Sequence, residues 1–276
     1  MIKLPYFDYL LALLEAGDEM ITASFGRHVH WGYWNEPKQA DLTSDDFARA
    51  TENLSAQVCI AGHIDKGLSV LDVGCGFGGT IAYLNDNFNG MKLTGLNLDE
   101  RQLNRARAIV TPVEGNRIDF LQGDACALPF PDQTFDVVLA VECIFHFPDR
   151  GQFFKEAHRV LKPGGYLALS DFLSTALIRP FTQFPLPEWL SNRFYGACNL
   201  EYSIQHYHTL SQETGFTLNA ERDITLNTLP TYRYLKKFVH LRNIVPKRAL
   251  METSVIEILS RLRLINYFIL AFKKAD

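Results

Sequence analysis

The sequence predicts a doubly wound α/β fold, a parallel sheet with helices on both faces. Between residue 66 and about residue 172, short apolar runs alternate with helical patterns, as strand–helix–strand units do. The runs are nearly continuous in apolar residues, which suits strands covered on both sides. A glycine-rich turn, VLDVGCGFGG (70–79), leads from the first run straight into a helical pattern.

The strands are expected at LSVLDV (68–73), MKLTGLN (91–97), RIDFLQ (117–122), FDVVLAV (135–141) and GYLALSD (165–171). Helices fill the gaps: GTIAYLNDNF after the first strand, DERQLNRARAIV after the second and DRGQFFKEAHRVL before the fifth. Pro163-Gly164-Gly165 is expected to terminate the last of these. Residues 1 to about 65 read as helical and aromatic, with FGRHVHWGYWNEP in the middle. From 173 onward the pattern is irregular. An aromatic stretch (Phe181, Phe184, Trp189, Phe194, Tyr195) is followed by a helix at 201–214, a strand near GFTLNAERDIT, two helical segments and a last strand at NYFILAFKK.

Composition sets limits on function. Hydrophobic residues make up 47% and charged residues 21%, enough to bury a core, and the net charge of −4 gives no general pull toward nucleic acid or anionic lipid. Lys236-Lys237 and Lys247-Arg248 are short clusters that read as solvated helix faces. Five scattered cysteines without a CxxC pair argue against a disulfide framework or a zinc site, and for a reducing, cytoplasmic setting. YLLALL near the N-terminus is flanked by acids, and no run approaches the roughly 20 apolar residues of a membrane span. The oligomeric state stays open, a homodimer included.

The glycine turn carries the chemistry. Glycines there let a ligand approach the backbone, and the helix that follows offers free N–H groups. The spacing G-C-G-F-G-G departs from the dinucleotide fingerprint, and Asp72 lies two residues before the first glycine. A carboxylate there gains nothing from a pyrophosphate but favours an amine-bearing ligand. Asp124, closing the third strand, stands where a carboxylate can accept a hydrogen bond from an adenine amino group.

VLDVGCGFGG, LTGLNLDERQLNRAR, GDACALPFPDQTFDVVLAVECIFHFPD and FFKEAHRVLKPGGYLALSD, in that order, resemble the class I S-adenosylmethionine-dependent methyltransferases of the small-molecule (type 11-like) group. The resemblance implies a seven-stranded, mostly parallel sheet with an antiparallel last strand. It also implies an N-terminal helical lid (1–65) before a methyltransferase domain (66–276), with a substrate-cap insertion at 173–212. S-adenosyl-L-methionine is the implied cofactor. Asp72, Gly74, Cys75, Gly76 and Gly78 would cradle its methionine end, and the backbone at Val141 and Glu142 would approach the amine. Asn97, with Leu98 and Gln102, would face the ribose, where many members carry an acid instead. Asp124 and Ala125 would read the adenine.

Methyl transfer from a sulfonium is an in-line displacement, so alignment does most of the work. An oxygen nucleophile must also lose a proton, a task suited to histidine. His146, just past the fourth strand, lies at the carboxyl end of the sheet, where ligands bind in open α/β folds. It reads either as that base or as a histidine wedged by Phe145 and Phe147. Asp171, ending the fifth strand, either orients His146, contacts the acceptor or caps the next segment. His30, Tyr33 and Trp34 read as aromatic packing or as a lid, with Phe145, Trp189 and Tyr195 facing the acceptor. His206 and His208, two residues apart on a helix, point to different faces and make no metal pair. Cys75 and Cys143 read as small buried hydrophobes.

The resulting expectation is O-methylation of a small, partly apolar metabolite. N- or C-methylation, a binding protein that keeps the cofactor fold without methyl transfer, and a nicotinamide oxidoreductase are the alternatives.

Overall fold

The computed structural model describes residues 4–178, 194–196, 198–242 and 247–276, without the side chains of 238–242 and 247–248. Its centre is a seven-stranded sheet in the order β3-β2-β1-β4-β5-β7-β6. The strands are β1 (Ser69–Val73), β2 (Lys92–Asn97), β3 (Arg117–Gln122), β4 (Phe135–Val141), β5 (Leu161–Ser174), β6 (Phe216–Asp223) and β7 (Ile265–Lys274). β1 to β5 pair in parallel, whereas β7 runs antiparallel to both β5 and β6.

Helices cover both faces, and strand alternation sorts side chains between them. On one face Val70, Val137, Leu139 and Ala168 pack with Leu54 and Val58 of α3 (Ser44–Ala61) and Ile81 of α4 (Gly79–Asn87). On the other, Leu71, Val138, Ala140 and Leu169 pack with Phe153, Phe154 and Ala157 of α6 (Arg150–Val160) and Tyr207 of α7 (Ile204–Glu213). α5 (Glu100–Ile109) covers β2 and β3. A third cluster joins α1 (Pro5–Glu15) and α2 (Glu19–Phe25) to α3 and to α8 (Thr225–Arg242), through Ile21, Phe25, Phe47 and Tyr234. α9 (Lys247–Arg261) lies beside α8 and β7. Among the described residues, no helix is long and apolar enough to cross a membrane.

Local chemistry explains the ends of α6. Asp149 caps its start by accepting from the Gln152 N–H at 2.9 Å. The helix ends at Val160, before the Pro163-Gly164-Gly165 expected to stop it, because Leu161 already pairs with Phe135 as strand. The Pro-Gly-Gly segment falls inside the register shift that follows, between the Phe135–Leu161 and Val137–Tyr166 pairs.

One polar cluster lies inside the second core. Arg150 is 1% exposed and donates to the Asp171 carboxylate at 2.7 Å, to the Asn199 carbonyl at 2.7 Å and to the Tyr207 hydroxyl at 3.2 Å. Tyr207 in turn donates to Asp171 at 2.6 Å. Because the Asn199 N–H donates to the Phe145 carbonyl at 2.8 Å, the cluster ties the chain after β5 to the loop after β4. Removing one partner of such a pair leaves a buried charge without its counterion, which costs about 3–5 kcal/mol. Urea denaturation of Arg150→Met is expected to show a loss of that size, and Arg150→Met/Asp171→Leu to recover most of it.

Candidate active site

β1 and β4 are neighbours, and beyond their carboxyl ends the chain departs toward opposite edges of the sheet, which opens a crevice there. The crevice contains two adjoining cavities. The larger is lined by Asp72, the glycine turn, the ends of β2 and β3 and the start of α1. The second is mostly apolar and lies beneath α1, α2, α8 and α9. Tyr6, Val29, His30, Glu142 and His146 line both, so they mark the junction.

In the first cavity the structure brings together Asp72, Gly74, Cys75, Gly76, Asn97, Leu98, Gln102, Asp124, Ala125, Val141 and Glu142. Burial alone raises the Asp72 carboxyl to about 8, a state that a cationic ligand would relieve. Gly76 has φ +55, and a Cβ there would come within 3.3 Å of Val29, the residue closing over the turn. Asn97 and Gln102 act as a unit: the Asn97 amide donates to Gln102 at 2.8 Å while its oxygen accepts the Leu98 N–H at 3.0 Å. Asp124 accepts from the Cys126 N–H at 2.8 Å. Gly78 is absent from this lining. It is the left-handed N-cap of α4, and a Cβ there would sit 3.0 Å from Phe120, so its smallness serves packing. Cys75 and Cys143 are buried, and burial pushes both thiols up, leaving them as small apolar groups.

His146 lies on a short 3₁₀ turn, Ile144–His146, directly after β4, with Phe145 against it at 4.5 Å between ring centres. Phe145 and Tyr195 line the apolar cavity. Trp189, like Phe181 and Phe184, lies outside the described residues. Asp171 lines neither cavity: it is fully buried in the Arg150–Tyr207 cluster, and burial raises its carboxyl to about 6 against the pull of Arg150. Its hydrogen bonds go to Arg150 and Tyr207, which corrects the expectation that it partners His146 or the acceptor.

The HVHWGYW segment divides its residues. His30 reaches the junction, but its Nδ1 is 2.9 Å from the Trp31 carbonyl and its Nε2 is 3.0 Å from His28 Nδ1 and 3.2 Å from Ser55 Oγ. Burial, with His28 beside it, pushes its pKa down to about 3, so it is neutral and has both nitrogens engaged. Tyr33 and Trp34 line neither cavity; Tyr33 packs in the sheet core, and Trp34 packs on Phe47 and donates to Asp46 at 2.9 Å. His206 caps α7 through the Ser203 N–H, and His208 pairs with Glu221.

The sequence reading missed Tyr6, Val29 and Trp31, which fold over the crevice, and the Glu142 side chain. Glu142 has φ +51, uncommon for a non-glycine residue, and its backbone N–H donates to Ser170 Oγ at 3.0 Å. Its Oε2 accepts from the Trp31 N–H at 2.9 Å and from the Tyr267 hydroxyl. Burial raises its carboxyl to about 8, against the hydrogen bonds from Tyr267 and Trp31, which lower it. The run ECIFHF signalled the position, but Tyr267 is 125 residues away in sequence and nothing local pointed to it.

Comparisons with known proteins agree with this geometry. Residues 71–169 match the family described as a methyltransferase domain. The chain is 34% identical over 228 residues to Methyltransferase GfsG from Streptomyces halstedii, covering 79% of this chain and 76% of that protein. It is 29% identical to O-methyltransferase resE from Aspergillus sclerotiorum, covering 82% of each. The fold is similar to the cyclopropane synthase MmaA2 from Mycobacterium tuberculosis, with a TM-score of 0.75, 19% identity and coverage of 98% and 99%. Coverage by a relative of this identity, together with the matched domain, makes the chain a member of the class I S-adenosylmethionine-dependent methyltransferases.

Proposed function

We propose that this methyltransferase modifies a hydroxyl of a small, largely apolar metabolite, with His146 as the base. The observation that carries the reading is the junction: His146 and Glu142 line both the cleft of the glycine turn and the apolar cavity. S-adenosylmethionine supplies an electrophilic methyl group when bound. Asp72 is suited to pair with its ammonium, and Gly74 and Gly76 let the backbone approach its methionine end. The Asn97–Gln102 pair is suited to the ribose, with Leu98 beside it, and Asp124 and Ala125 to the adenine. The segment before residue 65 serves as a lid, with Tyr6, Val29 and His30 at its inner surface.

On the acceptor side, His146 takes the hydroxyl proton. His30, also at the junction, does not compete for this role, because burial and His28 push its pKa down to about 3, too weak a base for the task. The Glu142 side chain, held by Trp31 and Tyr267, fixes the lid against the end of β4. The name of the relative resE supports oxygen as the methylated atom. Methylation at carbon is the second reading, favoured by the aromatic wall around Trp31. The Trp31 ring meets Phe172 at 5.7 Å and Tyr195 at 5.8 Å, and aromatic faces stabilise the positive charge that a neutral carbon acceptor gains with the methyl group.

Two outcomes are expected. With its carboxyl near 8, Asp72 is mostly protonated at pH 7 in the free protein, and an ammonium beside it favours the ionised form. Cofactor binding at pH 7 should therefore release about one proton, less as pH rises through 8, and Asp72→Asn should abolish the release. Calorimetry in buffers of different ionisation enthalpy measures this; proton uptake or no exchange would contradict the assignment. His146→Ala should leave cofactor affinity nearly intact and lower turnover roughly 10²–10⁴-fold, with loss of the acidic limb of the pH–rate profile. A normal rate at every pH would remove His146 as the base.

A further inference from the structure

We infer that the acceptor is elongated, with its reacting hydroxyl at the junction and an apolar tail running beneath α1, and that Leu10 and Leu13 gauge the length of that tail. This rests on the methyl-transfer reading above and adds the shape of the acceptor. The cavity does not end at the junction. α1 contributes Tyr6, Tyr9, Leu10 and Leu13 to its wall, so it follows the helix for about 10 Å at 1.5 Å per residue. Tyr6 also lines the cofactor cleft, which places the proximal end there, and Leu13 marks the distal end.

Polarity falls along the same direction. At the junction stand His30, Glu142 and His146. Leu10 and Leu13 pack in one apolar cluster with Ile21, Phe25, Phe47 and Leu235, all of them in the wall, so the far end is apolar. Two threonine hydroxyls in the wall are engaged: Thr231 accepts the Gly32 N–H at 3.1 Å, and Thr253 donates to the Ala249 carbonyl at 2.7 Å and lies 2.8 Å from the Tyr195 hydroxyl. A polar tail would be desolvated there against mostly apolar side chains, whereas an alkyl or prenyl-like tail gains by leaving water. Ile21 and Phe47, both almost fully buried, give the distal end a rigid floor. Leu10 and Leu13 are only partly buried on the outer helix, so a larger side chain there shortens the cavity without opening the core.

The test uses 4-alkylphenols with tails from methyl to octyl and measures their binding calorimetrically in the presence of S-adenosylhomocysteine, so that the result does not depend on turnover. Affinity should rise about fourfold per added methylene until the tail fills the cavity. Leu13→Trp should leave the methyl compound within about twofold of wild type and weaken the octyl compound about tenfold or more, moving the plateau to shorter tails. Leu10→Trp provides a second variant with the same expectation. Affinity that does not change with tail length would overturn the inference, as would unchanged octyl binding in both variants. Length-dependent binding without any methylated product would uphold the cavity assignment and count against hydroxyl methylation.

Discussion

The parallel pairing of β1 with β4, Val70 with Val137 and Asp72 with Leu139, is the constraint from which the site follows. Two strands that end side by side and send their chains to opposite edges cannot be covered there by a crossover. The gap is therefore bordered by what each strand presents next: a glycine turn after β1 and the ECIFHF run after β4. Neither loop makes a site alone. Together they put a cleft suited to a flexible cationic ligand against a histidine and a carboxyl group.

Glu142 links these parts. A non-glycine residue in the left-handed region costs on the order of 1–3 kcal/mol unless its surroundings fix it. Ser170 on β5 holds its backbone, while Tyr267 on β7 and the Trp31 N–H hold its carboxyl. One residue thus joins the parallel strands, the antiparallel β7 and the N-terminal segment over the cavities. The Arg150–Asp171–Tyr207 cluster does related work from below, anchoring Asn199, whose N–H bonds the Phe145 carbonyl beside His146.

Much of this was legible in the sequence, for local reasons. Continuous apolar runs located the five parallel strands, and β3 and β4 begin and end where RIDFLQ and FDVVLAV do. The glycine turn located the cleft, and the position of His146 followed from the strand before it. What stayed hidden depends on contacts distant in sequence. Asp171 was expected to end the fifth strand beside the crevice, but β5 runs on to Ser174 and a buried arginine 21 residues earlier holds the Asp171 carboxylate. Trp34 and Tyr33 share an aromatic run with Trp31, yet the turn of the chain sends Trp31 to the cavity wall and the other two into packing. Gly78 looked like one more cradle glycine, and only the closeness of Phe120 shows its use.

The atom that receives the methyl group distinguishes hydroxyl methylation from its alternatives. Incubating the enzyme with S-adenosylmethionine carrying a ¹³C-labelled methyl and a panel of apolar acceptors, followed by carbon NMR of the products, reads that atom directly. A methoxyl carbon signal is expected; label appearing on carbon or nitrogen, with no methoxyl product, would contradict methylation at oxygen.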